Sequence, residues 1–199
     1  DNGKALPEGD YQAVLSARYV NGHAPVSKSA FFALDVTKPD AQVRASGPIF
    51  SPVGDGKLDT VSFTQEASEE PSWTGEVFAL DGRGQIAGKP IRSIELGSRP
   101  ATKFVWDGRD ESGAIAPDGK YGYRLSGTDR AGNIGYSNVA AVELNTEKAD
   151  VILQASLAAF SPNGDGVKDA ISFVPVIKAS TPIDGYVLTI RDSAGKAVK

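Results

Sequence analysis

The sequence has no cysteine, no methionine and a single histidine, His23, and none of its apolar runs approaches the ~18 residues that cross a bilayer as a helix. Without cysteine there is no disulfide framework, no thiolate nucleophile and no zinc–thiolate site. One histidine excludes a two-histidine metal motif and argues against a Ser-His-Asp arrangement, since His23 falls in a turn. There is no Gly-x-Ser-x-Gly elbow and no phosphate-cradling glycine loop ending in Lys-Ser/Thr. Glu69 and Glu70 are adjacent in one loop, whereas a glycosidase pair must face across a cleft, so both read as surface charge. The net charge of −4 is mild and mixed in sign, with no basic stripe to neutralise phosphates. These absences predict no catalysis, no nucleic-acid partner and no membrane insertion. The opening Asp1-Asn2-Gly3, in a chain without methionine, reads as a piece of a longer precursor.

What the chain does have is a repeat. Phe160-Ser161-Pro162-Asn163-Gly164-Asp165-Gly166-Val167-Lys168-Asp169 has an earlier near-copy in Phe50-Ser51-Pro52-Val53-Gly54-Asp55-Gly56-Lys57-Leu58-Asp59, at an offset of 160 − 50 = 110 positions. Pro7 and Pro117, Gly9 and Gly119, Tyr11 and Tyr121, Leu15-Ser16 and Leu125-Ser126, and Gly22 and Gly132 share that offset. A period of this size is a whole β-domain.

Between the turn signals, β-branched and aromatic residues alternate with polar ones, and no segment shows helical periodicity with caps at both ends. Strands are expected over Tyr11–Tyr19 and Ser29–Val36, with Val20-Asn21-Gly22-His23 as the hairpin turn between them. Each Phe-Ser-Pro loop should be followed by a strand, Thr60–Thr64 and Ala170–Val174, and then by Thr74–Leu80 and Asp184–Ile190. On the last pair Phe78 with Leu80, and Leu188 with Ile190, are expected to face the core. Ser93–Leu96 reads as an edge strand. Tyr121, Tyr123 and Leu125 alternate with Gly122, Arg124 and Ser126, giving one buried and one wet face.

The fold class expected is all-β: tandem Ig-like or fibronectin-III-like antiparallel sandwiches. A full unit runs over residues 40–148. Residues 1–39 match only the C-terminal half of a unit, and residues 149–199 only an N-terminal half. The chain then reads as a window on a longer tandem array. A sharper expectation is that the two halves complete each other, within one molecule or head to tail between molecules.

The Phe-Ser-Pro-Asn-Gly-Asp-Gly-x-x-Asp motif, followed by Trp106-Asp107-Gly108-Arg109-Asp110 and by Pro117-Asp118-Gly119-Lys120-Tyr121-Gly122-Tyr123, resembles the Ig-like domain of flagellar hook-capping proteins (FlgD type). It is also similar to the C-terminal domains of gliding-motility and type IX secretion cargo proteins. Asp129-Arg130-Ala131-Gly132-Asn133 resembles a hairpin turn of bacterial surface Ig-like repeats. The resemblance covers residues 40–148 and half a unit on each side. The first copy departs from the motif at Val53, where Asn is expected. The family implies sandwich modules in the bacterial periplasm, at the cell surface or secreted, often strung in arrays or appended to hydrolases.

Two sites can be named. Ser161, Asn163, Asp165, the Val167 carbonyl and Asp169 have the spacing of an Asp-rich calcium loop, with Asp55 and Asp59 as the poorer first copy. Only two carboxylates are supplied, and Ser172 stands where the bidentate Glu is needed. The competing and preferred reading is that Asn163, Asp165 and Asp169 bond backbone N–H groups to fix a tight turn. Trp73, after Glu69-Glu70-Pro71-Ser72, is the candidate exposed aromatic for a glycan or protein ligand, with core packing as the preferred reading. Trp106 reads as core. The function expected is a non-catalytic structural or spacer segment whose partners are neighbouring Ig-like domains of the same or another chain. The alternatives are a carbohydrate- or protein-binding module, or an accessory domain of an exported hydrolase.

Overall fold

The computed structural model describes residues 6–198. The turn-rich opening expected for residues 1–5 lies outside them. The described residues form strands and turns with no helix, and so include none long and apolar enough to cross a membrane.

Four short strands come first: β1 (Gly9–Tyr11), β2 (Val14–Ser16), β3 (Val26–Lys28) and β4 (Phe32–Leu34). β1 pairs with β4 and β2 with β3, all antiparallel. The expected single strand Tyr11–Tyr19 is therefore two pieces, broken at Gln12-Ala13. The hairpin turn closes where expected, with Tyr19 N–H donating to the His23 carbonyl at 2.8 Å and Gly22 at a φ of 87°.

The sandwich is built from β5 (Ala41–Ala45), β6 (Ile49–Phe50), β7 (Val61–Ala67), β8 (Ser72–Leu80), β9 (Ile86–Gly97), β10 (Lys103–Trp106), β11 (Gly119–Thr128), β12 (Ile134–Tyr136) and β13 (Ala140–Leu144). One sheet has the order β10-β7-β5; the other runs β6-β13-β11-β8-β9, with β12 also paired to β11. Alternation puts Val43, Val61, Phe63 and Trp106 on the inner face of the first sheet, against Trp73, Val77, Tyr123 and Leu125 of the second. Aromatic rings bridge the layers: Tyr123 lies 4.8 Å from both Phe63 and Phe104, and Trp106 lies 5.3 Å from Phe50 and 5.2 Å from Tyr121. The polar ends of these rings are satisfied. Tyr123 donates to Gln65 Oε1 at 2.7 Å, Trp106 Nε1 to the Arg109 carbonyl at 2.8 Å, and Tyr121 to the Pro117 carbonyl at 2.6 Å. Burial pushes the Tyr123 phenol well above its ordinary pKa, so it stays a neutral donor.

Two expectations are corrected on β8 and β9. The core face of β8 carries Trp73, Val77 and Ala79, whereas Phe78 and Leu80 lie on the opposite face. There Arg124 covers the Phe78 ring at 4.9 Å, and Leu80 packs over Gly122. Two apolar faces on one strand cannot be ranked by alternation alone. The expected edge strand Ser93–Leu96 extends back to Ile86, through Pro90, because register shifts opposite Val77–Ala79 absorb the proline. It is an edge strand as expected, next only to β8.

After Leu144 come β14 (Asp150–Ala155) and β15 (Phe173–Lys178), an antiparallel pair. The strand expected at Ala170–Val174 is shifted to β15. None forms over residues 184–190; the Arg191–Ala197 bridge follows them, and Val198 N–H donates to the Ile190 carbonyl at 2.8 Å. In the sandwich the matching β8 is held between β9 and β11, and residues 150–198 contain no counterpart of β11 and only the start of one for β9. The chain divides into two compact units, the first ending at Asn145 and the second beginning at Thr146.

The repeat is structural as well as textual. Gly9 pairs with Leu34 as Gly119 does with Leu144, and Ser16 with Val26 as Ser126 does with Tyr136. Ala155 pairs with Phe173 as Ala45 does with Phe63. Tyr11 donates to the Pro7 carbonyl at 2.6 Å, the same tether that Tyr121 makes.

Candidate functional site

The two Phe-Ser-Pro loops adopt one conformation. In each, a seryl N–H closes the loop on a carbonyl seven residues on: Ser51 to Leu58 at 2.8 Å, Ser161 to Lys168 at 2.9 Å. The last Asp spans the turn from below. Asp59 accepts from Gly54 N–H at 2.6 Å and Gly56 N–H at 2.7 Å; Asp169 accepts from Gly164 at 2.9 Å and Gly166 at 2.8 Å. Gly54, Gly56, Gly164 and Gly166 all have positive φ, near 80°, which is why glycine is repeated there. Leu58 and Lys168, at φ of 54° and 55°, take the same left-handed conformation without glycine's freedom.

Each sequence-predicted ligand of the second loop has a definite place. Asp165 Oδ1 accepts from Val167 N–H at 2.8 Å, and its Oδ2 accepts from the Asn163 amide at 2.9 Å. Asn163 Oδ1 accepts from Asp165 N–H at 3.2 Å. Ser161 contributes its backbone N–H to the closure. Hydrogen bonds from Gly164 and Gly166 hold the Asp169 carboxyl below its ordinary pKa, and the Val167 N–H, then Asn163, do the same for Asp165. In the first loop Asp55 Oδ1 accepts from Lys57 N–H at 2.9 Å, and Val53 adds no ligand. Both carboxylates of each loop are turned onto backbone donors. Among the described residues no group of three or more His, Cys, Asp or Glu is placed to hold a metal ion.

Trp73, named as an exposed aromatic in a loop, is instead a strand residue of β8 and fully buried. Its Nε1 donates to the Ser68 carbonyl at 2.9 Å, and its ring covers Gly127 so closely that a Cβ there would lie 2.6 Å from it. It has no face left for a ligand. The preceding Glu-Glu-Pro-Ser stretch suggested a loop, but the strand begins at Ser72 itself.

The sequence reading missed a polar groove of about 480 Å³ between β9 and the loop after β10, lined by Arg92, Asp107, Arg109 and Glu111. Arg92 sits 3.0 Å and Arg109 3.5 Å from Asp107, and Glu111 accepts from Ser93 N–H at 3.2 Å. His23 lies in the exposed hairpin turn, beside Tyr19 and Asn21.

The feature with most bearing on function is where the chain joins the sandwich. It arrives at Pro39, whose carbonyl packs against Gly135 so tightly that any Cβ there would overlap it. Asn133 Nδ2 donates to the Asp35 carbonyl at 3.1 Å, and the Glu8 carboxylate accepts from Val36 N–H at 2.7 Å and the Thr37 hydroxyl at 2.8 Å. Those bonds, first the Val36 N–H and then Thr37, hold the Glu8 carboxyl below its ordinary pKa. The chain leaves after Leu144. On β11, Gly135 is paired with Gly127 and Leu144 with Gly119. Arrival and departure are thus 127 − 119 = 8 positions apart along one strand, roughly 26 Å at about 3.3 Å per residue.

Residues 77–131 match the family model described as the FlgD Ig-like domain, from within β8 to the turn after β11. No curated protein matches the chain. Among solved structures, dimeric latent PorU from Porphyromonas gingivalis is 18% identical, over 72% of this chain and 13% of that one, with a TM-score of 0.37. The tetra-tandem repeat in the extending region of a large adhesion protein is 20% identical, over 97% of this chain and 45% of that one, with a TM-score of 0.38. The chain therefore spans less than half the length of either.

Proposed function

We propose that this is a non-catalytic spacer: a run of Ig-like units that sets the distance between other parts of a bacterial cell-envelope or secreted protein. One observation carries the reading. The chain comes into the sandwich beside Gly127 at one end of β11 and leaves beside Gly119 at the other, so a unit of this kind adds about one strand length between its entry and its exit. The Glu8, Asp35, Thr37 and Asn133 bonds stiffen the first junction. The match of residues 77–131 to an Ig-like family model supports the class. The loops that drew attention as metal sites serve as corners that turn the chain between sheets.

Because the chain lacks cysteine, paired cysteines can be introduced cleanly. Spin labels at Lys38→Cys and Lys120→Cys should give one narrow distance distribution, centred on the order of 25 Å. A broad distribution, or one much shorter, would refute a rigid end-to-end unit.

A further inference from the structure

β9 is an edge strand, and one stretch of its free side is already half used. Glu111 N–H donates to the Ile91 carbonyl at 2.9 Å, and the Glu111 carboxylate accepts from Ser93 N–H at 3.2 Å. Those are the two bonds that one residue of a parallel strand makes, to a carbonyl and to the N–H two positions on, with the carboxylate standing in for the backbone carbonyl. Ser93 therefore turns its backbone away from β8. Ser93 and Glu95 lie opposite Glu76 and Thr74 in an unbroken stretch of the ladder, so Glu95 does the same. The next rung is the Ser93 carbonyl with the Glu95 N–H. No strand among the described residues pairs with that side of β9. It opens on the groove of about 480 Å³, whose far wall is the loop carrying Asp107, Arg109 and Gly113.

We propose that this groove takes an extended peptide segment carrying a basic side chain, added to β9 as a short further strand. A peptide residue lying opposite Ile94 would give its N–H to the Ser93 carbonyl and take the Glu95 N–H on its own carbonyl, continuing the rung that Glu111 begins. The charge around the slot selects the side chain. Arg92 and Arg109 stand among Glu95, Asp107, Asp110 and Glu111, so the lining carries 2 − 4 = −2. Both arginines are paired with Asp107, and Asp110 bonds the backbone of its own turn. Among the described residues neither Glu95 nor Glu111 has a cationic partner, and those two charges remain to meet a lysine or arginine. The same edge is poorly suited to a second folded copy. Pro90 has no N–H to pair, and the register shift opposite Val77–Ala79 interrupts the strand behind it. A single extended segment needs only one strand spacing, about 4.8 Å, beside the edge, whereas a second sheet would bring its own neighbouring strands against the 107–113 loop. All the residues involved lie between Ile91 and Gly113, so the slot is independent of how units are joined.

The test is an NMR titration of the isotope-labelled full chain with short synthetic peptides of alternating threonine and valine. One carries a central lysine, one a central glutamate, and one the lysine with every backbone nitrogen methylated. The lysine peptide should shift the Ser93, Ile94, Glu95 and Glu111 amide resonances saturably and slow hydrogen exchange at Glu95. The glutamate peptide should bind about five- to tenfold more weakly, since an exposed attraction becomes a repulsion. The methylated peptide, which cannot donate to the Ser93 carbonyl, should not bind. Glu95→Pro removes the N–H of the open rung, on the side that faces away from β8, and should abolish binding. Glu95→Lys keeps that N–H and should erase the preference for the lysine peptide. Unchanged fluorescence of Trp73 and Trp106, both fully buried in the sandwich core, checks that the variants fold. A lysine peptide that shifts none of those resonances overturns the proposal, as does a methylated or glutamate peptide bound as tightly as the lysine one. Shifts at the same residues on concentrating the protein alone would place a second copy in the slot and overturn it too.

Discussion

Asp81, Asp110, Asp129 and Asp192 each open an Asp-x-x-Gly turn in which one carboxylate oxygen accepts N–H bonds from the second and fourth residues on, at 2.8–3.1 Å. Asp59 and Asp169 do related work in the longer loops. Carboxylates are used here as backbone acceptors, and that has two consequences. Asp59→Ala should destabilise the sandwich by about 1–2 kcal/mol in urea unfolding, because two N–H groups lose a charged acceptor; Asp59→Asn should cost less. The second concerns pH. Folded Glu8, Asp110, Asp165 and Asp169 sit below their ordinary pKa values. The folded state therefore binds fewer protons than the unfolded one, so stability is fully present above the ordinary carboxylate pKa of about 4 and is lost as pH falls through the depressed values. Thermal melts should be flat from neutral pH to about 5 and decline below that. Calcium is the remaining question for these loops. With the carboxylates already engaged, Tm should not differ between added calcium and EDTA; a calcium-dependent rise would return the loops to the status of metal sites. The turns were legible because Gly, Asp and Asn at fixed spacing leave few conformations. Which oxygens they engage was not, since one spacing suits a cation and a row of N–H groups equally well.

At the scale of elements, close approach across β8 and β11 is set by what glycine leaves open. Gly127 lies under the Trp73 ring and Gly75 under the Tyr123 hydroxyl, where a Cβ would come within 2.6 and 2.4 Å. Gly127→Ala should cost about 1–3 kcal/mol by overpacking, measured by urea unfolding, whereas Gly82→Ala, in an open turn, should change little. The buried face of β11 was readable from Tyr121, Tyr123 and Leu125. The face of β8 was not, because Trp73 and Val77 compete with Phe78 and Leu80, and alternation does not show that Arg124 covers the Phe78 ring on the outer face. Trp73 is core, the preferred of its two readings, and only its placement in a loop fails: a Glu-Glu-Pro-Ser approach looks like a loop, although the strand starts within it.

For the whole molecule, the offset of 110 positions carried both architecture and organisation, because a repeat compares the chain with itself and needs no outside reference. It predicts one full unit between two half-units, and the pairs Gly9–Leu34 with Gly119–Leu144, and Ala45–Phe63 with Ala155–Phe173, share its offset. What the repeat could not show was direction. That the chain arrives and leaves at opposite ends of β11 depends on which strands pair, a long-range property absent from local pattern. Residues 40–148 are then expected to be a self-sufficient sandwich. Urea unfolding of a 40–148 fragment, followed by tryptophan fluorescence and near-UV circular dichroism, tests it most directly. The fragment should unfold in one cooperative step, with the buried-tryptophan signal of the intact chain. A fragment with no cooperative transition, or with solvent-exposed tryptophan emission before urea is added, would contradict it.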